Sequence, residues 1–180
     1  MKFIRGRLLG TYIIEPDVYS DSRGFFLETY NRREFEKVGI NLDFVQDNLS
    51  RSVKNTVRGL HYQINHPQDK LVRAVSGEIF DVAVDIRRNS PTFGQWEGCF
   101  LSAENKRQFF IPVGFAHGFC VVSETADFMY KCSNFYSPKD ERGILWNDPD
   151  IGVEWPLDGE PVLSKRDIAN PALKDAERHF

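Results

Sequence analysis

The stretch at residues 79–86, IFDVAVDI, decides the fold that this sequence predicts, because its side chains follow a period of two. In a strand, one face would carry Phe80, Val82, Val84 and Ile86, and the other Ile79, Asp81, Ala83 and Asp85. This alternation is typical of a half-buried strand in an antiparallel sheet. Just before it, Ser76-Gly77 predicts a turn from an earlier strand around residues 71–75.

Similar short runs recur along the chain and are separated by turn residues. They lie at residues 25–30, 96–101, 107–111, 117–122 and 127–136. Many short strands with few helices predict an all-β sandwich, jelly roll or barrel. A chain of 180 residues is long enough for one core, and no repeat or linker divides it. We therefore expect a single domain over residues 1–180.

One helix is predicted to begin near Asn31. Asn31 can accept hydrogen bonds from the free amides of the first turn, Glu34 can reach back to it, and Gly39 permits a left-handed stop. Phe35 and Val38 give this helix one apolar face. Prolines become frequent after residue 136, so the last quarter is expected to be ordered loop and short turns.

The composition limits the classes of function. Apolar residues make up 41% of the chain and charged residues 27%, as in folded globular proteins. The formal net charge of −3 argues against a general nucleic-acid surface. Cys99, Cys120 and Cys132 form no Cys-x-x-Cys pair, which predicts buried free thiols. Because no stretch resembles a membrane span or the apolar core of a signal peptide, we expect no membrane partner and a cytoplasmic protein.

The segment at residues 57–63, VRGLHYQ, carries the first chemical signal. Regular alternation would place Arg58, Leu60 and Tyr62 on one face and Gly59, His61 and Gln63 on the other. Histidine is suited to accept a proton near neutral pH, although an isolated histidine is more often a hydrogen-bonded structural residue. Lys70 follows a turn that contains Pro67, and we expect it to face His61 across a hairpin.

Three further side chains are candidates for the same site. His117 begins a predicted strand after the tight turn at residues 112–114, and Tyr130 could point into a barrel whose interior is otherwise apolar. Asp167 stands near the end of the chain. A buried tyrosine and a surface or capping acid have ordinary structural explanations, so the residues alone leave both interpretations open.

Seven runs together resemble the dTDP-4-dehydrorhamnose 3,5-epimerase family. They are Asp21 to Glu28, Gln46 to Ser50, Arg58 to Gln63, Gln68 to Arg73, Gly77 to Asp85, Pro112 to Phe119 and Trp146 to Pro149. The runs are collinear and cover nearly the whole chain. The resemblance implies a cupin-type jelly-roll β-barrel with a few short peripheral helices. It also implies a homodimer that uses no metal and no organic cofactor.

The family converts dTDP-4-dehydro-6-deoxy-D-glucose to dTDP-4-dehydro-L-rhamnose by inverting C3 and C5, in the synthesis of dTDP-L-rhamnose for bacterial surface polysaccharides such as lipopolysaccharide O-antigen. By this resemblance, His61 is the general base and Asp167 holds its ring. Tyr130 is the acid on the opposite face of the sugar. Lys70 is the cation at the C4 oxygen, where the enolate carries its negative charge.

The same resemblance assigns the residues that bind the substrate. The nucleotide positions match Arg23, Glu28, Gln46, Asn48 and Arg58, and further contacts match Lys70, His117, Glu141 and Arg166. The family often has lysine at the last of these positions, so a different reach is expected there. Tyr136 could stack on thymine, and it could equally be an ordinary aromatic residue at the rim of the barrel. N-terminal strands are exchanged in the family dimer, so Arg23 and Glu28 could serve either subunit.

Three other functions fit the same fold. A metal-dependent cupin needs His-x-His, a glutamate and a later histidine, but Gln63 and Lys70 occupy two of these ligand positions. A non-catalytic sugar-nucleotide binding module would not need His61, Lys70, Tyr130 and Asp167 together. Relatives that invert only C3 or only C5, or that isomerise the ketone, are the nearest alternative, because pocket shape decides how the sugar ring turns between the two steps.

Overall fold

The computed structural model describes residues 1–180, and most of its regular structure is antiparallel strand. The strands are β1 (Lys2–Arg5), β2 (Tyr12–Glu15), β3 (Val18–Asp21), β4 (Gly24–Leu27), β5 (Gln46–Val53), β6 (Val57–Gln63), β7 (Lys70–Ser76), β8 (Glu78–Asp85), β9 (Trp96–Ser102), β10 (Gln108–Ile111), β11 (Phe115–Val121), β12 (Thr125–Cys132) and β13 (Glu141–Gly143). The helices are α1 (Arg32–Lys37), α2 (Lys165–Ala169) and a 3₁₀ turn at Leu173–Asp175. None of them is long and apolar enough to cross a membrane.

Two sheets form the body of the molecule. One has six strands in the order β1-β2-β10-β7-β12-β5, and the other has five in the order β13-β6-β11-β8-β9. Strands β3 and β4 pair only with each other, in a separate hairpin. The all-β jelly-roll prediction is confirmed.

Strand β8 is buried on both faces, so the prediction of a half-buried strand is wrong. Ile79 and Ala83 belong to the apolar cluster between the sheets. Val82 and Val84 belong to a second cluster on the outer side, together with Ile144, Ile151, Trp155 and Leu173 from the end of the chain. The loops after residue 136 thus cover the wholly apolar face of β8. The opposite face, which the alternation would assign to solvent because it carries Asp81 and Asp85, is buried as well.

Helix α1 confirms the predicted helix and its cap. The Asn31 side chain accepts from the backbone N–H of Arg33, and Gly39 has a φ of +87°. Phe35 is buried beneath the helix. Glu34 does not reach back to Asn31; its carboxylate instead accepts from Lys37 at 2.7 Å.

Two predicted strands are too long. The run at residues 25–30 is strand only to Leu27, and the run at residues 127–136 ends as strand at Cys132. Residues 133–136 are loop, which places Tyr136 outside the regular alternation of β12.

Candidate active site

A cavity of about 430 Å³ opens between the two sheets. Ten of the residues singled out in the sequence line it, namely Gln46, Asn48, Arg58, His61, Lys70, His117, Tyr130, Glu141, Arg166 and Asp167. They come from both sheets and from α2, so the fold gathers side chains that are up to 121 positions apart in the chain, from Gln46 to Asp167. The space between the two sheets is therefore polar at the cavity and apolar elsewhere.

His61 and Asp167 form a close pair on one wall. The His61 Nε2 atom lies 2.6 Å from an Asp167 carboxylate oxygen. Asp167 is buried in the first turn of α2, and Ser164, which caps that helix, donates to its other oxygen at 2.7 Å. Burial would raise the pKa of Asp167, but the hydrogen bonds from His61 and Ser164 outweigh it and lower the pKa. The carboxylate is thus held charged beside the imidazole ring.

An irregularity in β6 corrects the predicted faces of this strand. His61 lies opposite His117 on β11 and Arg58 lies opposite Phe119, so two residues of β6 face a single residue of its neighbour. This β-bulge turns Arg58 to the cavity side, with His61 and Gln63, whereas Leu60 and Tyr62 pack in the outer cluster. The prediction that Arg58 shares a face with Leu60 and Tyr62 is therefore wrong.

Gly59 makes the bulge possible. Its φ is +132°, and a Cβ atom there would lie 2.6 Å from Gly118 Cα and 2.9 Å from the His117 carbonyl oxygen. A side chain here would be strained by the positive φ and would clash with the backbone of β11, so only glycine fits.

Lys70 reaches the cavity from the opposite sheet. It begins β7, whereas His61 lies on β6 of the five-stranded sheet, so the predicted hairpin between them is wrong. The connection at residues 64–69 crosses from one sheet to the other, and the two side chains face each other across the cavity. Burial lowers the pKa of Lys70, while the nearby acidic groups Cys132, Asp81 and Glu141 act in the opposite sense.

His117 is buried at the bottom of the cavity and is held by an acid that sequence reasoning missed. Both carboxylate oxygens of Asp81 lie 3.0 Å from His117 Nε2. Burial lowers the pKa of His117 and raises that of Asp81. The available signal was an aspartate in the middle of the apolar run 79–86, at a position that the alternation assigns to the same face as Ile79 and Ala83.

Tyr130 faces the cavity from β12, on the sheet opposite His61. Its ring lies 5.2 Å from that of Phe128, which in turn stacks on Phe119 at 4.2 Å. Burial raises the pKa of Tyr130, and the neighbouring acidic groups Cys132 and Glu141 raise it further. The phenol therefore stays protonated well above neutral pH.

The rim of the cavity carries polar groups that are already bonded to one another. Gln46 Nε2 donates to Asn48 Oδ1 at 2.9 Å, and Arg166 Nη1 donates to Glu141 Oε2 at 2.5 Å. The Tyr136 hydroxyl also donates to Glu141. Burial would raise the pKa of Glu141, but the hydrogen bonds from Tyr136 and Arg166 outweigh it and lower the pKa. The rim thus combines amides, a guanidinium and a half-exposed aromatic ring.

Arg23 and Glu28 lie away from this cavity. Arg23 is next to the turn of the β3–β4 hairpin, its side chain is 87% exposed, and it pairs with Asp21 at 2.6 Å. Glu28 accepts from Asn31 at 3.0 Å. The structure does not bring either residue to the ten that line the cavity of the same chain.

The assembled groups suit proton transfer at a carbon next to a carbonyl. A histidine–aspartate pair and a second histidine stand on one wall, and a protonated phenol and a lysine stand on the other. No three His, Cys, Asp or Glu side chains converge as metal ligands would.

Comparisons with known proteins identify the family. A family model described as dTDP-4-dehydrorhamnose 3,5-epimerase matches residues 5–175. The dTDP-4-dehydrorhamnose 3,5-epimerase of Pseudomonas aeruginosa is 56% identical over 178 residues, which cover 98% of each chain. The crystal structure of the Legionella pneumophila 3,5-epimerase in complex with dTDP-4-keto-L-rhamnose has a TM-score of 0.96 at 49% identity, over 99% of this chain and 98% of that one.

A more distant structure represents a different specificity. The 3′-monoepimerase of Streptomyces bikiniensis in complex with dTDP-quinovose has a TM-score of 0.86 at 36% identity, over 92% of this chain and 84% of that one. Identity to the 3,5-epimerases is higher and extends over almost the full length. The chain belongs to the dTDP-4-dehydrorhamnose 3,5-epimerase family.

Proposed function

We propose that this chain inverts C3 and C5 of dTDP-4-dehydro-6-deoxy-D-glucose and releases dTDP-4-dehydro-L-rhamnose. The observation that carries the proposal is the placement of a paired base, His61 with Asp167 at 2.6 Å, on one sheet and of Tyr130 on the other, across a common cavity. Inversion requires that a proton leaves one face of the sugar and another arrives at the opposite face.

His61 removes the proton at C3 or C5. Both carbons flank the C4 ketone, so the electron pair of the broken C–H bond moves into an enolate whose charge lies on the C4 oxygen. Asp167 holds the ring in place and stabilises the imidazolium that forms, because its lowered pKa keeps it charged at neutral pH.

Lys70 and His117 stabilise the enolate oxygen. Lys70 is close enough to Asp81 and Glu141 for their charges to favour its protonated form, against the effect of burial. A fixed positive group where negative charge develops lowers the barrier more than it stabilises the neutral ketone.

Tyr130 returns a proton to the carbon from the other face. The phenol is protonated before the step, and the enolate carbon is basic enough to take its proton. Before the next proton abstraction, the His61 imidazolium must lose its proton to solvent and the Tyr130 phenolate must regain one.

The nucleotide diphosphate is bound by Arg58, Gln46, Asn48 and Arg166. Tyr136 is available to contact the nucleotide base. Arg58 donates to Ser52 at 3.1 Å and keeps its other N–H groups for phosphate oxygens. Glu141 orients Arg166 and Tyr136 at the rim.

The working form is a homodimer in which the β3–β4 hairpin of one chain reaches the cavity of the other. This hairpin exposes Val18, Tyr19, Phe25 and Phe26 by 42% to 70%, which is unusual for apolar side chains that have no partner. A second copy would cover them and bring Arg23 and Glu28 to a substrate.

A C3-only epimerase is the second candidate, favoured by the likeness to the Streptomyces bikiniensis monoepimerase. The test is an NMR time course with dTDP-4-dehydro-6-deoxy-D-glucose in D₂O. Deuterium at both C3 and C5 is expected. Label at C3 alone would favour the monoepimerase, and binding of dTDP without any exchange would favour a binding module.

A metal-dependent cupin is disfavoured by the residues at its ligand positions. Gln63 uses its amide and its carbonyl on backbone groups, and Lys70 presents a cation. Activity is therefore expected to survive dialysis against EDTA, and a loss that zinc, iron or manganese restores would contradict the proposed mechanism.

A further inference from the structure

The loop after β12 presents Tyr136 at the mouth of the cavity without help from regular secondary structure. Phe135 and Tyr136 are 65% and 49% exposed, so apolar packing does not hold this segment. A ring that is to contact a nucleotide base needs a defined backbone, and here that backbone is fixed by two side chains.

Backbone groups of three consecutive residues around Tyr136 are hydrogen-bonded to two glutamines. Gln63 Nε2 donates to the Phe135 carbonyl at 3.2 Å, Gln46 Oε1 accepts from the Tyr136 N–H at 2.9 Å, and Gln63 Oε1 accepts from the Ser137 N–H at 2.7 Å. Gln46 lies on β5 of the six-stranded sheet and Gln63 on β6 of the five-stranded sheet. The backbone of the loop is therefore hydrogen-bonded to both walls of the cavity at Tyr136.

Both polar atoms of the Gln63 side chain are hydrogen-bonded to backbone groups of the protein. It is 4% exposed, and its amide also donates to the His66 carbonyl at 2.6 Å. A carboxamide carries donors and an acceptor on one planar group, so it can bond N–H and C=O groups of the same loop, which a hydrocarbon cannot do. The cavity lining thus includes a buried glutamine to which the catalytic scheme gives no task.

We propose that Gln63 is a positioning residue for nucleotide binding and acts through Tyr136. Together with Gln46 it holds the backbone on both sides of Tyr136 and keeps the ring at the cavity mouth. The inference rests on the proposed function, because it assumes that a dTDP-linked sugar enters there.

The first test is titration calorimetry with dTDP on the Gln63→Met variant, which keeps the length of the side chain and removes its hydrogen bonds. Binding of dTDP is expected to weaken by about tenfold, because the net contribution of a typical hydrogen bond corresponds to about a tenfold change in Kd. The KM for the keto sugar should rise in parallel, with kcat within about twofold, because the reacting groups keep their places. If Gln63→Met does not fold, Gln63→Glu retains the acceptor for Ser137 and removes both donors, and the same result is expected.

The second test asks whether the effect passes through Tyr136. Tyr136→Ala should weaken dTDP binding, and adding Gln63→Met to it should weaken binding no further. Asn65→Ala is the matched control, because the exposed Asn65 ties the same two loops through Asp140 at 2.7 Å but touches no backbone group beside Tyr136. Its affinity for dTDP should equal that of the unaltered protein.

The outcomes separate the inference from the function. Unchanged dTDP binding by Gln63→Met, or an equal loss with and without Tyr136, overturns the positioning role and leaves the epimerase proposal standing. Failure of the unaltered protein to bind dTDP overturns both.

Discussion

At the scale of single residues, opposite pKa shifts mark the carboxylate behind the proposed base and the phenol proposed as the acid. Asp167 is held charged by hydrogen bonds, whereas Tyr130 is held neutral by burial. A charged carboxylate strengthens the base on one wall, and a neutral phenol is ready to donate from the other. The environments thus reinforce the protonation states that the two residue types already have at neutral pH.

The His61→Ala variant is expected to lose exchange of deuterium at both C3 and C5, because one base serves both carbons. The loss should be at least about 100-fold, the lower end of what general-base catalysis contributes. Exchange is followed by NMR in D₂O, with dTDP affinity as the control for an intact cavity. Unchanged exchange would remove His61 as the base.

The Tyr130→Phe variant should behave differently. It keeps the ring that packs on Phe128 and removes only the hydroxyl, so the protein should fold normally. Exchange is expected to fall mainly at one of the two carbons, by about 100-fold. An equal fall at both carbons would indicate that Tyr130 serves both protonations.

At the scale of elements, the bulge in β6 is what aims Arg58 and His61 into the same cavity. Gly59→Ala is expected to destabilise the fold by about 1–3 kcal/mol more than Gly24→Ala, the typical cost of an atom forced into filled space. The two glycines form a matched pair, since their φ values are +132° and +130° but a Cβ at Gly24 would meet nothing within 4 Å. Chemical denaturation measures the difference, and equal losses would mean that backbone strain alone matters.

The loop that follows β8 supplies a pH-dependent contribution to stability. Burial would raise the pKa of Asp85, but hydrogen bonds from Arg87, Ser90 and Thr92 outweigh it and lower the pKa to about 2, from an ordinary value of 3.8. A lowered folded-state pKa stabilises the fold above the ordinary value, and this contribution is lost as the pH falls from about 4 towards 2.

Asp85→Asn should therefore lower the free energy of unfolding at pH 7 and make its decline between pH 4 and pH 2 less steep. Denaturant titrations at a series of pH values would show both effects. Glu104→Gln, at an exposed position, is the control and should leave the curve unchanged. A parallel shift of the Asp85→Asn curve at every pH would contradict the assignment.

The sequence predicted the elements better than their arrangement. The helix after Asn31 and the strand at 79–86 follow from local patterns, and both are present. The bulge at Gly59 depends on a neighbouring strand 60 positions away, and no local pattern reveals it. Likewise, the turns before Lys70 and at Gly77 were recognisable, but which sheet each following strand joins depends on long-range pairing. Of the ten site residues, five were candidates from the local sequence, and the family resemblance supplied only their roles. The other five, Gln46, Asn48, Arg58, Glu141 and Arg166, came from the resemblance, because their chemistry is meaningful only once the fold has gathered them.

At the scale of the whole molecule, the two-sheet architecture itself separates the proposed acid from the proposed base. His61 and His117 belong to the five-stranded sheet, and Lys70 and Tyr130 to the six-stranded sheet. A sugar ring held between the sheets presents one face to each. In the proposed mechanism, inversion rather than simple exchange follows from where the strands place these side chains.

The exposed β3–β4 hairpin leads to the last prediction, which asks whose cavity Arg23 serves. Arg23→Ala and His61→Ala are each expected to inactivate a homodimer. When the two variants are mixed by joint refolding, half of the dimers should be mixed, and if the hairpin crosses to the partner, one site of each mixed dimer carries both changes and the other carries none. Activity should then return to roughly a quarter of the unaltered level, as random pairing in a two-fold dimer requires. If each hairpin serves its own chain, every site in the mixture carries one change, and activity should stay at the level of the separate variants.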